Sequence, residues 1–283
     1  MNKKGIPTRI LGKTGEEVSI LGLGGYHIGE LNKKESIKLI RRAIDEGITF
    51  LDNAWCYHQG LSERLMGEAL KNGYRKKAFI MTKNHGRTRG RFNKQLEDSL
   101  QRLNTDYIDL LQLHEIINIG EPAKILNEGV LEEVEKAKKE GKIKYIGFTG
   151  HRYPSLHQQM LDIDYDWDTV QFPLNVLDYH FRSFQKQILP QANQKNMGVI
   201  GMKSLAAGRI FNTDIGVEEA IRYSLSMPIS TLVSGIDSFE VLEQNLEIVR
   251  SFEPYSKEEL EELRKRYKDV AYKGQYEYYK TDQ

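Results

Sequence analysis

Between about residue 18 and residue 250 the chain repeats one phrase: a short apolar, β-branched run, a polar loop, then a charged segment with helical periodicity. Eight such runs read as strands, at residues 20–23, 48–51, 78–81, 107–113, 143–148, 169–170, 199–202 and 231–233. Strands that alternate with helices pair in parallel, and each hides both faces under helices. Eight of them favour closure over an open sheet, so the expected fold is α/β, a (β/α)₈ TIM barrel.

The segments between the runs carry helix signals. Residues 33–46 place Ile37, Leu39, Ile40, Ala43 and Ile44 on one face and end at Gly47, and residues 126–140 form a second periodic stretch ending at Gly141. Ahead of the first run, residues 8–11 and 18–20 flank Gly12-Lys13-Thr14-Gly15, which reads as an N-terminal β-hairpin able to plug one end of the barrel. Past the last unit, residues 256–268 read as a C-terminal helix, followed by a tail at about 269–283. With Tyr267, the tail brings five tyrosines up to Tyr279. Two readings of this end stand: a solvated helix with a flexible, frayed tail, or a flap over the substrate pocket. No Pro/Ser-rich linker or low-complexity block divides the chain, so residues 1–283 are expected to form one domain.

The charge balance argues against polyanionic partners. Lys plus Arg number 41 against 40 Asp plus Glu, a net charge of +1, so no strong field draws the molecule to nucleic acid or an acidic membrane. No 18-residue apolar run and no secretory apolar core occur, and the single cysteine, Cys56, fits a reducing compartment. The expectation is a cytoplasmic protein without a membrane or nucleic-acid partner. Nothing in the sequence points to an oligomeric state.

Three of the runs end in polar residues that a strand does not need: Asp52, Lys83 and His114, each 31 residues after the last. That interval is one βα unit, which predicts equivalent heights on adjacent strands, converging on the C-terminal mouth where barrels house chemistry. Taken singly, each has a plain structural explanation: a turn cap, a solvated lysine, a hydrogen-bonded core histidine, and for Tyr57 a packed loop residue. Together they compose a proton-donor assembly. Hydride addition to a carbonyl builds negative charge on oxygen, and a phenol with an ordinary pKa of about 10 is a poor donor near neutrality. Lys83 beside Tyr57 is expected to lower that value, with Asp52 neutralising the ammonium and His114 either orienting the substrate oxygen or relaying a proton. No side chain supplies a hydride, so the chemistry calls for a nicotinamide.

These residues sit in stretches that resemble the aldo-keto reductase family, over about residues 8–245. Gly47-Ile-Thr-Phe-Leu-Asp52-Asn-Ala-Trp-Cys-Tyr57, with Ser62-Glu63 and Leu65-Met66-Gly67-Glu68-Ala69-Leu70, is similar to one family signature. Ser99-Leu-Gln-Arg-Leu103, continuing through Asp109 to His114, is similar to another, and Met81-Thr82-Lys83 supplies the family lysine. The resemblance implies NAD(P)H-dependent reduction of a small aldehyde or ketone, with Tyr57 as acid/base, Asp52 and Lys83 tuning it, and His114 positioning the carbonyl. It implies nicotinamide contacts at Thr149 and Gln171, where Thr149 replaces a serine hydroxyl. Gly150 cannot replace an asparagine amide, and reads either as a φ > 0 loop residue or as a point of close approach to the nicotinamide. It further implies phosphate contacts in Met202-Lys203-Ser204-Leu205-Ala206-Ala207-Gly208-Arg209, and adenosine contacts at Gly235, Asp237, Gln244 and Asn245. Val241 stands where many NADP-preferring members carry an arginine; NADP is the expected cofactor, with NAD open. Tyr26, His27, Trp55 and His151 are the candidates to face substrate, and Cys56, beside Tyr57, is a candidate for oxidation.

Two further classes are weighed against this reading. One is a nicotinamide-binding redox sensor with little turnover, as the family-like potassium-channel β subunits are thought to be. The other is a metal-dependent barrel hydrolase, but the seven histidines show no HxH or HExxH spacing, so no metal is expected. Relatives with a similar Phe148-Thr149-Gly150-His151 stretch continue into a ferredoxin-like module. One cysteine cannot build such a cluster, so iron–sulfur chemistry is not expected.

Overall fold

The computed structural model describes residues 5–281. A hairpin comes first: β1 (Thr8–Ile10) pairs antiparallel with β2 (Glu17–Ser19), with Thr8 opposite Ser19. Eight strands follow in parallel: β3 (Leu21–Gly24), β4 (Phe50–Asp52), β5 (Phe79–Asn84), β6 (Ile108–Leu113), β7 (Ile143–Thr149), β8 (Thr169–Pro173), β9 (Gly198–Met202) and β10 (Thr231–Gly235). They close into a barrel, β10 pairing with both β9 and β3. The expected eight-strand barrel is the observed one.

Strands β4, β5 and β6 are buried along their whole length because side chains alternate between the barrel interior and the ring of helices. Leu51, Ile80 and Leu111 belong to the large core shared with the helices. Phe50, Phe79, Met81, Leu110 and Ile200 form a separate interior cluster with Leu11 and Val18 of the hairpin. The hairpin therefore stoppers the barrel at the end where the strands begin. Lys13 N donates to Asn196 O at 2.7 Å and Tyr145 Oη to Thr14 O at 3.2 Å, which fasten it there. The opposite end is left to the residues that follow the strands.

The outer helices obey their sequence signals with two corrections. Helix Lys33–Asp45 opens on Asn32, whose side chain accepts from Glu35 N, and the turn beyond it reaches Gly47 at φ +102°. The stretch expected as one helix over 126–140 is two, Glu121–Asn127 and Val130–Lys139. Gly129 breaks it: its φ is +75°, and the Arg89 side chain fills the space a Cβ would need. The second correction is at the C-terminus. Helix Lys257–Arg266 has a full capping box, Ser256 with Glu259, and buries Leu260 and Leu263 instead of standing in solvent.

Beyond that helix the tail is packed, not frayed. Glu277, Tyr279 and Lys280 are buried. Lys280 Nζ reaches Asp178 Oδ1 at 2.5 Å, Glu277 Oε1 at 3.0 Å and Phe181 O at 3.0 Å. Asn175 Nδ2 donates to Glu277 Oε1 and Tyr279 Oη, both at 3.1 Å, tying the tail to the loop after β8. The flexible-tail expectation fails because Lys280 and Glu277 of the tail and the distant Asp178 and Phe181 O satisfy each other out of water. Residues 282 and 283, also counted in that tail, lie outside the described ones. Among the described residues no helix is long and apolar enough to cross a membrane.

Candidate active site

The strand ends meet where the spacing places them, with a stagger. Asp52 pairs with Met81, and Lys83 with Gln112, so each polar residue lies two positions further along its strand than the one before. The strands of such a barrel tilt by about 36°, which offsets part of that stagger along the barrel axis. Equal height was expected; a staircase is what the register builds.

Lys83 is the hub. It is 2% exposed, and Nζ donates to Asp52 Oδ1, to Asn53 O at 2.9 Å and to Tyr57 Oη at 3.3 Å. These three acceptors use the three hydrogens of an ammonium. Burial pulls the Lys83 value down, but the charge and hydrogen bonds of Asp52 and Tyr57 outweigh it and hold the amine above its ordinary range. The other carboxylate oxygen of Asp52 accepts from Gln171 Nε2 at 2.8 Å. Tyr57 follows β4 on a turn in which His58 and Gln59 take left-handed φ of +48° and +57°. Its ring meets those of His114 (5.8 Å, 77°) and Tyr26 (5.4 Å, 87°) edge to face.

The phenol departs from expectation. Burial pushes Tyr57 up to about 12, with Asp52 adding to the rise, and the pull of Lys83 does not overcome them. The phenol is therefore protonated at neutral pH, not an incipient phenolate. Burial also holds His114 well below its usual range, with Lys83 acting in the same direction, so its imidazole is neutral. Cys56 is pushed up to about 11, first by burial and then by Glu115, so it remains a thiol and makes a poor oxidation target.

The residues expected to face substrate divide. Tyr26 is 49% exposed and stands against Tyr57, and His27 lies over Gly235, where any Cβ would strike its ring. Trp55 is tied to helix Arg89–Leu103: its indole donates to Asp98 at 3.0 Å and Arg102 lies 5.4 Å from its ring. His151 meets Tyr279 of the tail at 6.1 Å, edge to face.

Those expected to hold a cofactor divide as well. Gln171 Oε1 is buried with no hydrogen-bond partner, and Thr149 is buried beside it in the β7–β8 register. Gly150 is not at positive φ; a Cβ there would lie 2.6 Å from Ile116 O and 2.9 Å from His157 Cε1, so packing inside the protein explains the glycine. After β9, Met202 leads into a strained loop: Lys203, Ala206, Ala207 and Gly208 all have positive φ. Ser204 and Ala206 are buried, while Leu205 is half-buried. Among the described residues no carboxylate pairs with Lys203 or Arg209. Instead Lys203 Nζ lies 5.0 Å from the Tyr279 ring and Arg209 5.5 Å from that of Tyr278. Gly235, Asp237 and Gln244 are exposed. Asn245 is buried with both ends of its amide in use, accepting from Ser234 Oγ at 3.0 Å and donating to Val241 O at 2.7 Å, so it braces β10 against helix Phe239–Arg250.

Sequence reading missed several groups at this end. Arg87 donates to His114 O and pairs with Glu121 at 3.2 Å. Glu63, fully buried, accepts from Thr82 at 2.6 Å and Arg102 at 3.2 Å, locking the strand next to Lys83. The only sequence signal for Glu63 was its place in the motif after Tyr57; none marked Arg87.

A family model, the aldo/keto reductase family, matches residues 20–218. The chain belongs to that family. Aldo-keto reductase YhdN of Bacillus subtilis is 32% identical over 214 residues, covering 69% of this chain and 61% of its own. Aldo-keto reductase AFTS1 of Alternaria alternata is 31% identical over 245 residues, covering 71% of this chain. The chain spans 65% of AFTS1, so it matches less than two thirds of either relative. Solved structures agree over more of their length. The holo form of aldo-keto reductase AKR11C1 from Bacillus halodurans superposes with a TM-score of 0.78 at 25% identity, covering 92% of this chain and 96% of the other. An aldo-keto reductase from Klebsiella pneumoniae in complex with NADPH gives 0.76 at 25% identity, covering 95% and 96%.

Proposed function

We propose that this aldo/keto reductase family member reduces an aldehyde or ketone to an alcohol with NADPH. The observation that carries the reading is Lys83 Nζ, buried at the barrel mouth and shared between the Asp52 carboxylate and the Tyr57 hydroxyl. A bound nicotinamide supplies the hydride. The protein supplies the rest. Tyr57, protonated in its buried site, gives its proton to the carbonyl oxygen as charge develops there. Lys83 then stabilises the phenolate left behind through the hydrogen bond it already makes, and Asp52 keeps that ammonium fixed and neutralised. Neutral His114, whose ring meets that of Tyr57, holds the carbonyl oxygen by a single hydrogen bond.

The residues present suit a nicotinamide. The orphaned Gln171 Oε1 is an acceptor waiting for an amide N–H, and Thr149 is its neighbour across the register. Among the described residues Lys203 and Arg209 pair with no carboxylate, and they stand on a loop with several left-handed residues, a fit for phosphates. NADP is favoured by the NADPH-bound relative.

The deciding experiment titrates the protein with NADPH and with NADH, then measures reduction of a panel of aldehydes and ketones by wild type and by Tyr57→Phe. The variant should bind cofactor within a few-fold of wild type and lose about 10²–10⁴ in kcat. Wild-type rates in Tyr57→Phe would overturn the mechanism, and cofactor binding without turnover of any carbonyl would favour a sensor.

A further inference from the structure

The barrel mouth holds a second cluster, which shares only His114 with the proposed reaction. One ligand atom each from Cys56, His85 and His114 lies within 4.8 Å of the others. The three come from the ends of β4, β5 and β6, which is why no short histidine spacing betrayed them and why no metal was expected from sequence.

One pair already has the spacing of two ligands on a single ion. Metal–sulfur and metal–nitrogen bonds of about 2.3 and 2.0–2.1 Å, at a tetrahedral angle, set sulfur and nitrogen about 3.6 Å apart. Cys56 Sγ and His114 Nδ1 are 3.7 Å apart. The His85 ring packs against that of His114, centroids 4.3 Å apart and planes tilted by 41°, so the second imidazole is adjacent to the first.

The donor set is equally specific. One sulfur and two imidazole nitrogens suit zinc-class ions, whereas Mg²⁺ and Ca²⁺ require oxygen. His85 also has the outer partner that metal-bound histidines usually have: Nε2 lies 3.0 Å from Glu115 Oε2, fixing the ring through a carboxylate. Glu115 has a left-handed φ of +52°, an uncommon conformation for a residue with a side chain.

We propose that Cys56, His85 and His114 form a site for one borderline-soft divalent cation of the zinc class, with water in the fourth position. On binding, the Cys56 S–H bond breaks, its proton passes to solvent, and the sulfur electron pair forms the bond to the metal. Both histidines bind as neutral imidazoles and no electron is transferred.

The test uses the whole protein after removal of metals by a chelator. Zn²⁺ titration followed by calorimetry should show one equivalent bound at micromolar affinity or tighter. Co²⁺ in its place should give a thiolate-to-metal charge-transfer absorption. Cys56→Ser and His85→Gln should each weaken Zn²⁺ at least tenfold and abolish or shift that absorption, and Glu115→Gln should weaken it by about 10–100-fold. Should a variant fail to fold, the Co²⁺ spectrum of the wild type decides alone. Absence of both the charge-transfer absorption and a bound equivalent would overturn the proposal. Equal Zn²⁺ affinity in wild type and Cys56→Ser would do so too, by assigning the ion to surface histidines. None of these readings depends on turnover, so they stand apart from the fate of the reductase assignment.

Discussion

Among the described residues two lysines are buried, and their surroundings differ. Lys83 shares its hydrogens among one carboxylate, one backbone carbonyl and a phenol. Lys280 reaches two carboxylates and a carbonyl, Asp178, Glu277 and Phe181 O, and meets no phenol among the partners of its ammonium. At Lys83 one partner is the phenol that the proposed reaction deprotonates, and the ammonium already donates to its oxygen. At Lys280 every partner is an anchor. A buried amine thus marks a candidate reactive centre only when one of its hydrogen bonds reaches a group that changes state in the reaction.

Removing each amine should separate the two. Lys83→Met is expected to lower kcat by about 10²–10⁴ while the circular dichroism spectrum stays that of wild type, because it removes the support for the phenolate. A Lys83→Met enzyme with wild-type kcat would erase the distinction. Lys280→Met leaves Asp178 and Glu277 facing each other without a cation, a defect worth about 3–5 kcal/mol. The tail can escape it by peeling into water, so the expected readout is local: tail opening rises by on the order of 10²–10³-fold, seen as proteolysis after residue 268 with the barrel intact. Barrel unfolding in step with tail cleavage would show that the anchor supports the whole fold.

His157 sharpens the contrast as a third buried titratable group, this one with no charged partner. It lies among Phe148, Phe172 and Phe184, its Nε2 3.2 Å from Gln171 O and its Nδ1 unpaired. Burial pulls it down to about 4 from 6.5, against the Gln171 hydrogen bond. Because the folded value is the lower one, the unfolded chain binds the proton first as pH falls. Stability is complete above about pH 6.5 and declines by ~3 kcal/mol as pH drops towards 4. Urea unfolding of His157→Phe between pH 7 and 4 should lack most of that decline; an unchanged slope would assign it elsewhere. The smallest effect is at the capping box: Ser256→Ala should cost about 1 kcal/mol and lower the urea midpoint slightly, with kcat untouched.

The same contrast explains what was legible in the sequence. Lys83 stood out because strand periodicity makes a polar residue at the end of an apolar run conspicuous, and the 31-residue interval linked it to Asp52 and His114. Lys280 did not, because its partners at 178 and 277 belong to irregular segments that no period connects. Position could be read in this way, but electrostatic outcome could not. The spacing placed Lys83 beside Tyr57, yet the net direction of the phenol's shift depends on how much burial opposes that single charge. Asn245 and Gly150 show the converse limit, since the contacts that occupy them, with Ser234 and His157, come from packing that a linear motif does not encode.

The seam of the barrel carries one further consequence. β10 joins β3 with Leu232 beside Leu21 and Gly235 beside Gly24, so the last staves of the cylinder link the two ends of the chain's folded core. During synthesis β3 can pair with β4 early, but its other edge has no partner until residues near 235 emerge. Ring closure is thus a late event in synthesis, and until then the open edge of β3 is free to pair elsewhere.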